Sequence, residues 1–255
     1  MDIKGCTAVV TGGASGLGKA CVRELSAKGA RVAIFDFDET RGRKVASESG
    51  DSIIFCKTDV SDENSVKAAI ANTMEAFGNI HFTINCAGIA TPAKVLSKKG
   101  PMPLELFNKI TQVNLVGTMN VLRLTAEKMV DNDPNQDGEK GVIINTASIA
   151  AFEGQIGQAA YSASKSGIVG MTLPIAREFA SYGIRVMTIA PGLFETPMLA
   201  GLPEEAKKSI IASIPFPKRL ARASEFAILA KHIIENPVLN GETIRLDSCI
   251  RLAIK

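Results

Sequence analysis

Tyr161 and Lys165 stand four residues apart in GQAAYSASKSGI (157–168), with Ser162 and Ser164 between them. The segment from about 158 to 181 has a helical pattern, so this spacing puts a phenol and an ammonium on one face, one turn apart. A phenol is a poor acid–base catalyst near neutrality, because its reference pKa is about 10. A neighbouring ammonium favours the phenolate, and a second positive charge in a water-poor cleft adds to the effect. Bringing the phenol to about 7 takes roughly 4 kcal/mol of differential stabilisation. Ser148, at the end of GVIINTAS (141–148), adds a hydroxyl that could hold a substrate oxygen. A base, a polar clamp and a hydride acceptor are what dehydrogenation of an alcohol carbon requires.

Two other chemistries compete for the same letters. Ser162 to Lys165 reads S-x-x-K, the nucleophile signature of penicillin-recognising serine enzymes, but neither S-D-N nor K-T-G follows. A Ser-His-Asp hydrolase lacks its G-x-S-x-G elbow. The two histidines, His81 at a strand start and His232 among apolar helical residues, read as structural. Tyr182, before Gly183 at a helix end, reads as packing.

A hydride acceptor needs a cradle, and TGGASGLGKA (11–20) offers one between a strand and a helix. Gly12, Gly16 and Gly18 lack the Cβ that would keep backbone N–H groups from a phosphate. Gly13 to Lys19 also spells G-x-x-x-x-G-K, yet Ala20 stands where a magnesium-binding Ser or Thr belongs. Asp36 ends the second strand at the distance expected of a carboxylate that takes an adenosine ribose. It would repel a 2′-phosphate, and Phe37 and Asp38 follow it, not arginine, so NAD is expected over NADP.

These residues need a frame. β-Branched apolar runs recur at 7–12, 31–36, 52–57, 81–86, 141–148, 184–190 and 242–247, with helical patterns between them. Runs apolar on successive residues suit strands covered on both faces. Their alternation with helices predicts an α/β fold: one domain over 1–255, a doubly wound parallel sheet of about seven strands with helices on both faces. Segments 90–103 and 131–141 read as surface loops, and 192–220 as a candidate substrate lid beyond the sixth strand.

Composition bounds the rest. The 255 residues are 46% hydrophobic and 22% charged, enough for a large core and unlike a disordered chain. A net charge of +3 without a basic block lends no support to nucleic-acid binding and leaves that role open. Cys6, Cys21, Cys56, Cys86 and Cys249 are odd in number and scattered, which suits reduced thiols and neither a disulfide framework nor a metal site. No run reaches membrane-spanning length, and the N-terminus enters a strand almost at once, leaving no room for a signal peptide. A soluble intracellular protein, cytoplasmic or in the mitochondrial matrix, is expected.

Taken in order, TGGASGLG, NCAG (85–88), Asn114 in QVNLVG, Ser148, YSASK and APGLFETP (190–197) resemble the short-chain dehydrogenase/reductase family. The resemblance implies a seven-stranded Rossmann-type sheet, a homotetramer and a Ser–Tyr–Lys–Asn catalytic set. Tyr161 would be the acid–base. Lys165 would bind the nicotinamide ribose and lower the tyrosine pKa, Ser148 would orient the substrate carbonyl, and Asn114 would position a water linking the lysine to solvent. Ser15 and Leu17 would line the pyrophosphate loop, and Asp59 and Val60 would flank the adenine. Cys86 would pack near the cofactor ribose with Gly88 beside it, and Phe194 and Thr196 would hold the carboxamide side. Ser148, Gln158 and Tyr161 would touch substrate.

AAFEGQIGQAAYSASKSGIVGMTLPIARE, GIRVMTIAPGLFETPM and ENPVLNGETIRLD further resemble one branch of that family, the type 2, short-chain 3-hydroxyacyl-CoA dehydrogenases. That branch also acts on hydroxysteroids and serves in a mitochondrial tRNA-processing complex. An NAD-dependent oxidation of 3-hydroxyacyl-CoA is therefore expected. A hydroxysteroid or short-chain alcohol dehydrogenase, or a dinucleotide-binding scaffold, is the alternative. Lys94, Lys98 and Lys99 in the 90–103 loop would suit the phosphates of a CoA thioester. Glu195 in the lid and LDSC (246–249), which lacks the glycine usual after its aspartate, depart from the branch pattern.

Overall fold

The computed structural model describes residues 1–48, 50–196 and 204–254. The chain runs β1 (Thr7–Thr11), α1 (Gly16–Ala27), β2 (Arg31–Asp36), α2 (Glu39–Ser47), β3 (Ile53–Lys57), α3 (Glu63–Phe77) and β4 (Phe82–Asn85). A small hairpin follows, β5 (Leu96–Ser97) and β6 (Gly100–Pro101), then α4 (Leu104–Thr111) and α5 (Gly117–Met129) around a π-helical turn at Gln112–Val116. The last part holds β7 (Gly141–Thr146), α6 (Ala159–Phe179), β8 (Ile184–Pro191), α7 (Glu204–Ala212), α8 (Ala223–Glu235) and β9 (Thr243–Leu246).

Seven strands form one parallel sheet in the order β3-β2-β1-β4-β7-β8-β9. The chain winds outward from β1 to β3, then returns to lay β4 on the other side of β1. The ends of β1 and β4 thus form the switch point where such sheets bind ligands. Successive strand residues serve opposite faces, which explains the unbroken apolar runs. Val10 and Ile34 pack with Leu25 and Phe226 on one face. Val9 and Phe35 pack with Val121, Met129 and Ile143 on the other. Phe35 is fully buried, so Phe35→Ala would cost about 3–5 kcal/mol.

Local signals set the helix ends. Asp38 caps α2 by accepting from the Arg41 N–H, and Asp62 caps α3 by accepting from the Asn64 N–H. Gly78 stops α3 in the left-handed region at φ 79°. Asn135 closes the 131–141 loop, its side-chain carbonyl accepting from the N–H groups of Asp137 and Glu139. The other loop, 90–103, is not structureless, because β5 and β6 pair antiparallel inside it. Strands two residues long carry no periodicity to read. Of the candidate lid at 192–220, residues 197–203 lie outside the described residues.

Candidate active site

The glycine loop is built by main chain holding main chain. Gly12 has φ 64°, and a Cβ there would lie 2.9 Å from the Ala87 nitrogen. A Cβ on Gly18 would meet the Gly12 carbonyl oxygen. Thr11 Oγ1 accepts from the N–H groups of both Cys86 and Ala87, each at 3.0 Å, tying β1 to β4 beneath the loop. Ser15 begins α1 in extended geometry with no side-chain cap, and no acidic residue occupies the first turn. These N–H groups suit an anion, so the loop fits the pyrophosphate of a dinucleotide. Gly16 (φ 50°) and Leu17 lie in the same turn. Lys19 pairs with Glu48 at 3.6 Å, which is not the part a triphosphate-binding lysine plays.

At the tip of β2, the Asp36 carboxylate accepts from the Ala14 N–H and the Asp38 N–H, both at 2.9 Å. It is thereby locked beside the glycine loop. Asp59, past β3, accepts from the Ser61 N–H and hydroxyl at 2.9 and 2.6 Å. Val60 is buried against α5, its carbonyl taking the Asn120 amide at 2.9 Å.

Asn114, Ser148, Tyr161 and Lys165 come together beyond β4 and β7. Asn114 is fully buried in the π-helical turn. Its Oδ1 accepts from the Ile89 N–H at 2.8 Å, and its Nδ2 donates to the Ile89 carbonyl (2.9 Å) and Ser164 Oγ (3.1 Å). Its side chain is thus committed to protein. Its backbone carbonyl accepts the Thr118 hydroxyl at 2.7 Å. Lys165 Nζ donates to the Thr146 carbonyl at 2.7 Å. Gly88 lies over both, since a Cβ there would stand 3.2 Å from Asn114 Oδ1 and 3.6 Å from Lys165 Nζ. Cys86 takes the Thr146 hydroxyl at 3.4 Å on its sulfur.

The charges depart from the sequence expectation. Burial pulls Lys165 down to about 8, and Cys86 partly offsets that. Burial also pushes the Tyr161 phenol up, against a lowering hydrogen bond from Ser148. Lys165 alone therefore does not lower the tyrosine pKa. Its Nζ stands 5.8 Å from the ring centroid and spends a hydrogen bond on Thr146, while the phenolate loses its hydration. A second positive charge, such as the oxidised nicotinamide ring of a bound NAD would bring, is needed to draw the phenol down.

On the substrate side, Ser148 begins a 3-10 turn, its Oγ accepting from the Ala150 N–H at 3.1 Å. The Gln158 side-chain carbonyl accepts from the Gln155 N–H at 3.0 Å. A groove of about 450 Å³ lies between the 94–96 segment and the start of α6, lined by Lys94, Val95, Leu96, Gln155, Ile156 and Ser162 among others. Ser162 Oγ is buried without a partner, so the S-x-x-K reading has no activated nucleophile. Lys98 and Lys99 sit on the β5–β6 turn, while Lys94 lines the groove. The Phe194 ring is buried against Phe226, centroids 6.3 Å apart, so a carboxamide would meet its backbone. Thr196 Oγ1 donates to the Phe194 carbonyl at 3.5 Å.

Sequence reasoning missed Thr11, Thr146, Ile89 and Ser164. Thr146 and Ile89 act through backbone groups, and the Thr11 hydroxyl meets amides 75 and 76 residues away. Ser164 could have been found, since it lies three residues past Tyr161 on the helix; its hydroxyl donates to the Tyr161 carbonyl at 2.7 Å. The histidines are structural as expected: His81 Nδ1 accepts from the Thr7 N–H at 3.1 Å, and His232 lies 3.4 Å from Asn236.

Comparison with known proteins agrees with this geometry. The short chain dehydrogenase family model matches residues 6–207. The chain is 52% identical to 3-hydroxyacyl-CoA dehydrogenase type-2 of Drosophila melanogaster, over 98% of this chain and 99% of that one. It is 53% identical to the protein of that name from Homo sapiens, over 98% and 97%. A crystal structure of 3-hydroxyacyl-CoA dehydrogenase type-2 from Mycobacterium avium superposes with TM-score 0.95 at 41% identity, covering 98% of each chain. A 3-ketoacyl-(acyl-carrier-protein) reductase from Brucella melitensis, complexed with NADH, superposes with TM-score 0.86 at 28% identity, covering 97% and 98%. With the family model spanning most of the chain and half of all residues shared along nearly its whole length, the chain belongs to the short chain dehydrogenases and is an oxidoreductase.

Proposed function

We propose that the protein oxidises 3-hydroxyacyl-CoA thioesters to 3-ketoacyl-CoA with NAD as the hydride acceptor. The observation that carries the dehydrogenase chemistry is the juxtaposition of Tyr161, Ser148 and Lys165 beside the glycine loop at the β1–β4 switch point. NAD, when bound, supplies the ring that accepts the hydride and the positive charge that Tyr161 needs. Residues 12–18, Asp36 and Lys165 would hold it. Ser148 holds the substrate oxygen, and Tyr161 takes the hydroxyl proton as the carbonyl forms. Lys165, its amine lowered to about 8 by burial, would hold the cofactor ribose one helical turn from Tyr161, and Asn114 would position a water linking it to solvent.

The thioester assignment is supported by the relatives named above, which share about half of all residues along nearly the whole chain. The groove agrees with it: Lys94 offers a cation, and Val95, Leu96 and Ile156 offer apolar wall. A second reading, a simple secondary-alcohol dehydrogenase, is favoured by 36% identity to ipsdienol dehydrogenase of Ips pini over 98% of this chain. NADH formation against a panel of 3-hydroxyacyl-CoAs, hydroxysteroids and short alcohols separates the two. Highest kcat/KM on a thioester is expected, and a preference for the uncharged alcohols would overturn the assignment. A homotetramer is also inferred, supported by the exposed apolar side chains of Val116, Met119 and Leu173 around α5 and α6. Light scattering after size exclusion tests it.

A further inference from the structure

The end of β9 and the turn beyond it are bound unusually hard to two other segments. Arg245 makes a bidentate pair with Glu153, NH1 to Oε1 at 2.6 Å and NH2 to Oε2 at 2.8 Å, and its guanidinium lies 5.1 Å from the centre of the Phe152 ring. Its Nε donates to Asp247 Oδ2 at 2.8 Å, and Arg251 reaches the same oxygen at 3.1 Å. Asp247 Oδ1 accepts from the Cys249 N–H at 3.1 Å, and the Ile250 N–H donates to the Asp247 carbonyl at 3.0 Å. The turn so held has Ser248 at φ 53° and Cys249 at φ 63°, left-handed geometry carried by two side-chain-bearing residues in succession. Such a conformation persists only where its surroundings over-determine it.

The turn touches two segments, the one that follows Ser148 and the base of the candidate lid. Towards the segment after Ser148, Ile250 packs on Ile149, the Ile156 N–H donates to the Ile254 carbonyl at 3.1 Å, and Gln155 Nε2 donates to the Ala253 carbonyl at 3.1 Å. Towards the base of the lid segment, the Gly192 N–H donates to the Leu246 carbonyl at 2.9 Å, and a Cβ on Gly192 would lie 2.8 Å from Asp247 Cα. Leu193, Ile214 and Leu220 join Ile250 in one apolar cluster. None of these bonds reaches the glycine loop, Asp36 or Lys165.

We propose that the segment 245–254 is the strut that sets the width of the substrate cleft, with Arg245, Asp247 and Ile250 as positioning residues for substrate and not for cofactor. The inference rests on the reading of that cleft given above. Glu153→Gln and the conservative Arg245→Lys weaken the fork while keeping size. Each should raise KM for 3-hydroxybutyryl-CoA roughly five- to tenfold, keep kcat within about twofold, and leave NADH affinity unchanged by fluorescence titration. Backbone hydrogen exchange should quicken in 149–158 and 192–196 while β1 to β8 keep their protection. Unchanged KM and exchange in both single variants, or losses of kcat and NADH affinity in proportion to KM, would overturn the strut. Wild-type protein inactive on thioesters would sink the substrate reading instead, and the exchange experiment would still decide the strut.

Discussion

The glycine loop and the substrate cleft open at the same edge of the sheet but are held by different kinds of bond. At the loop, backbone amides meet a threonine hydroxyl, an aspartate and the close approach of β1 to β4. At the cleft, long side chains meet one another across 92 residues of sequence, as Arg245 meets Glu153. A site made of backbone tolerates little change in residue type and serves one ligand shape. A site made of side-chain pairs can be reset by single substitutions, which suits the side of an enzyme that must choose its substrate.

The sharpest test of that contrast lies where the two sides meet. Tyr161→Phe removes one hydroxyl, so turnover should fall by roughly 10²- to 10⁴-fold with NADH affinity retained. Near-normal turnover would break the assignment of the base.

Lys165→Met should also abolish turnover, and it should stabilise the fold at neutral pH. Burial holds Lys165 at about 8 instead of its reference 10.5. The unfolded chain therefore binds more protons between those values, so stability rises with pH across that window and carries the full cost below pH 8. That cost is about 3 kcal/mol on this arithmetic. The methionine variant should unfold at a higher temperature at pH 7 and show a flatter stability profile from pH 8 to 10.5. Destabilisation at pH 7 would mean that the hydrogen bond to Thr146 outweighs the buried charge.

Asp36→Ala probes the backbone-built side. NAD should be preferred over NADP by at least ~1 kcal/mol in the wild type, and the variant should lose that preference. Because the carboxylate also holds the Ala14 and Asp38 amides, the variant should lose about 1–3 kcal/mol of stability as well. Paired saturation curves and thermal melts read both, and equal affinity for the two cofactors in the wild type would remove the ribose role.

The smallest effect belongs to the lysines. Lys94→Ala should raise KM for 3-hydroxybutyryl-CoA a few-fold, with kcat unmoved and the wild-type salt dependence reduced. Lys98→Ala/Lys99→Ala, on the hairpin turn, should do less. If the double variant has the larger effect, the thioester crosses the hairpin and not the groove.

How much of this was legible follows the same division. All seven strands of the sheet, the glycine cradle and the Ser148–Tyr161–Lys165 group could be read, because periodicity and motif spacing are local properties of a chain. The β5–β6 hairpin could not, since two-residue strands leave no pattern. The direction of the Tyr161 shift was also out of reach, because it depends on how deeply the phenol is buried. The Glu153–Arg245 fork joins residues that nothing in their own neighbourhoods connects. LDSC could be seen to lack a glycine, but only the fold shows two non-glycine residues taking up the left-handed turn.

His81 carries a consequence far from any of this chemistry. Its imidazole is the acceptor for the first amide of β1, and burial, with Arg31 nearby, holds its pKa below the ordinary value. Protonation would set an N–H against an N–H at the strand's entry, on the side of the sheet opposite the active site. Mild acid would thus strike the molecule at its foundation and leave its catalytic groups untouched, so inactivation on acidification should follow loss of the β1–β4 seam, not titration at the reacting centre.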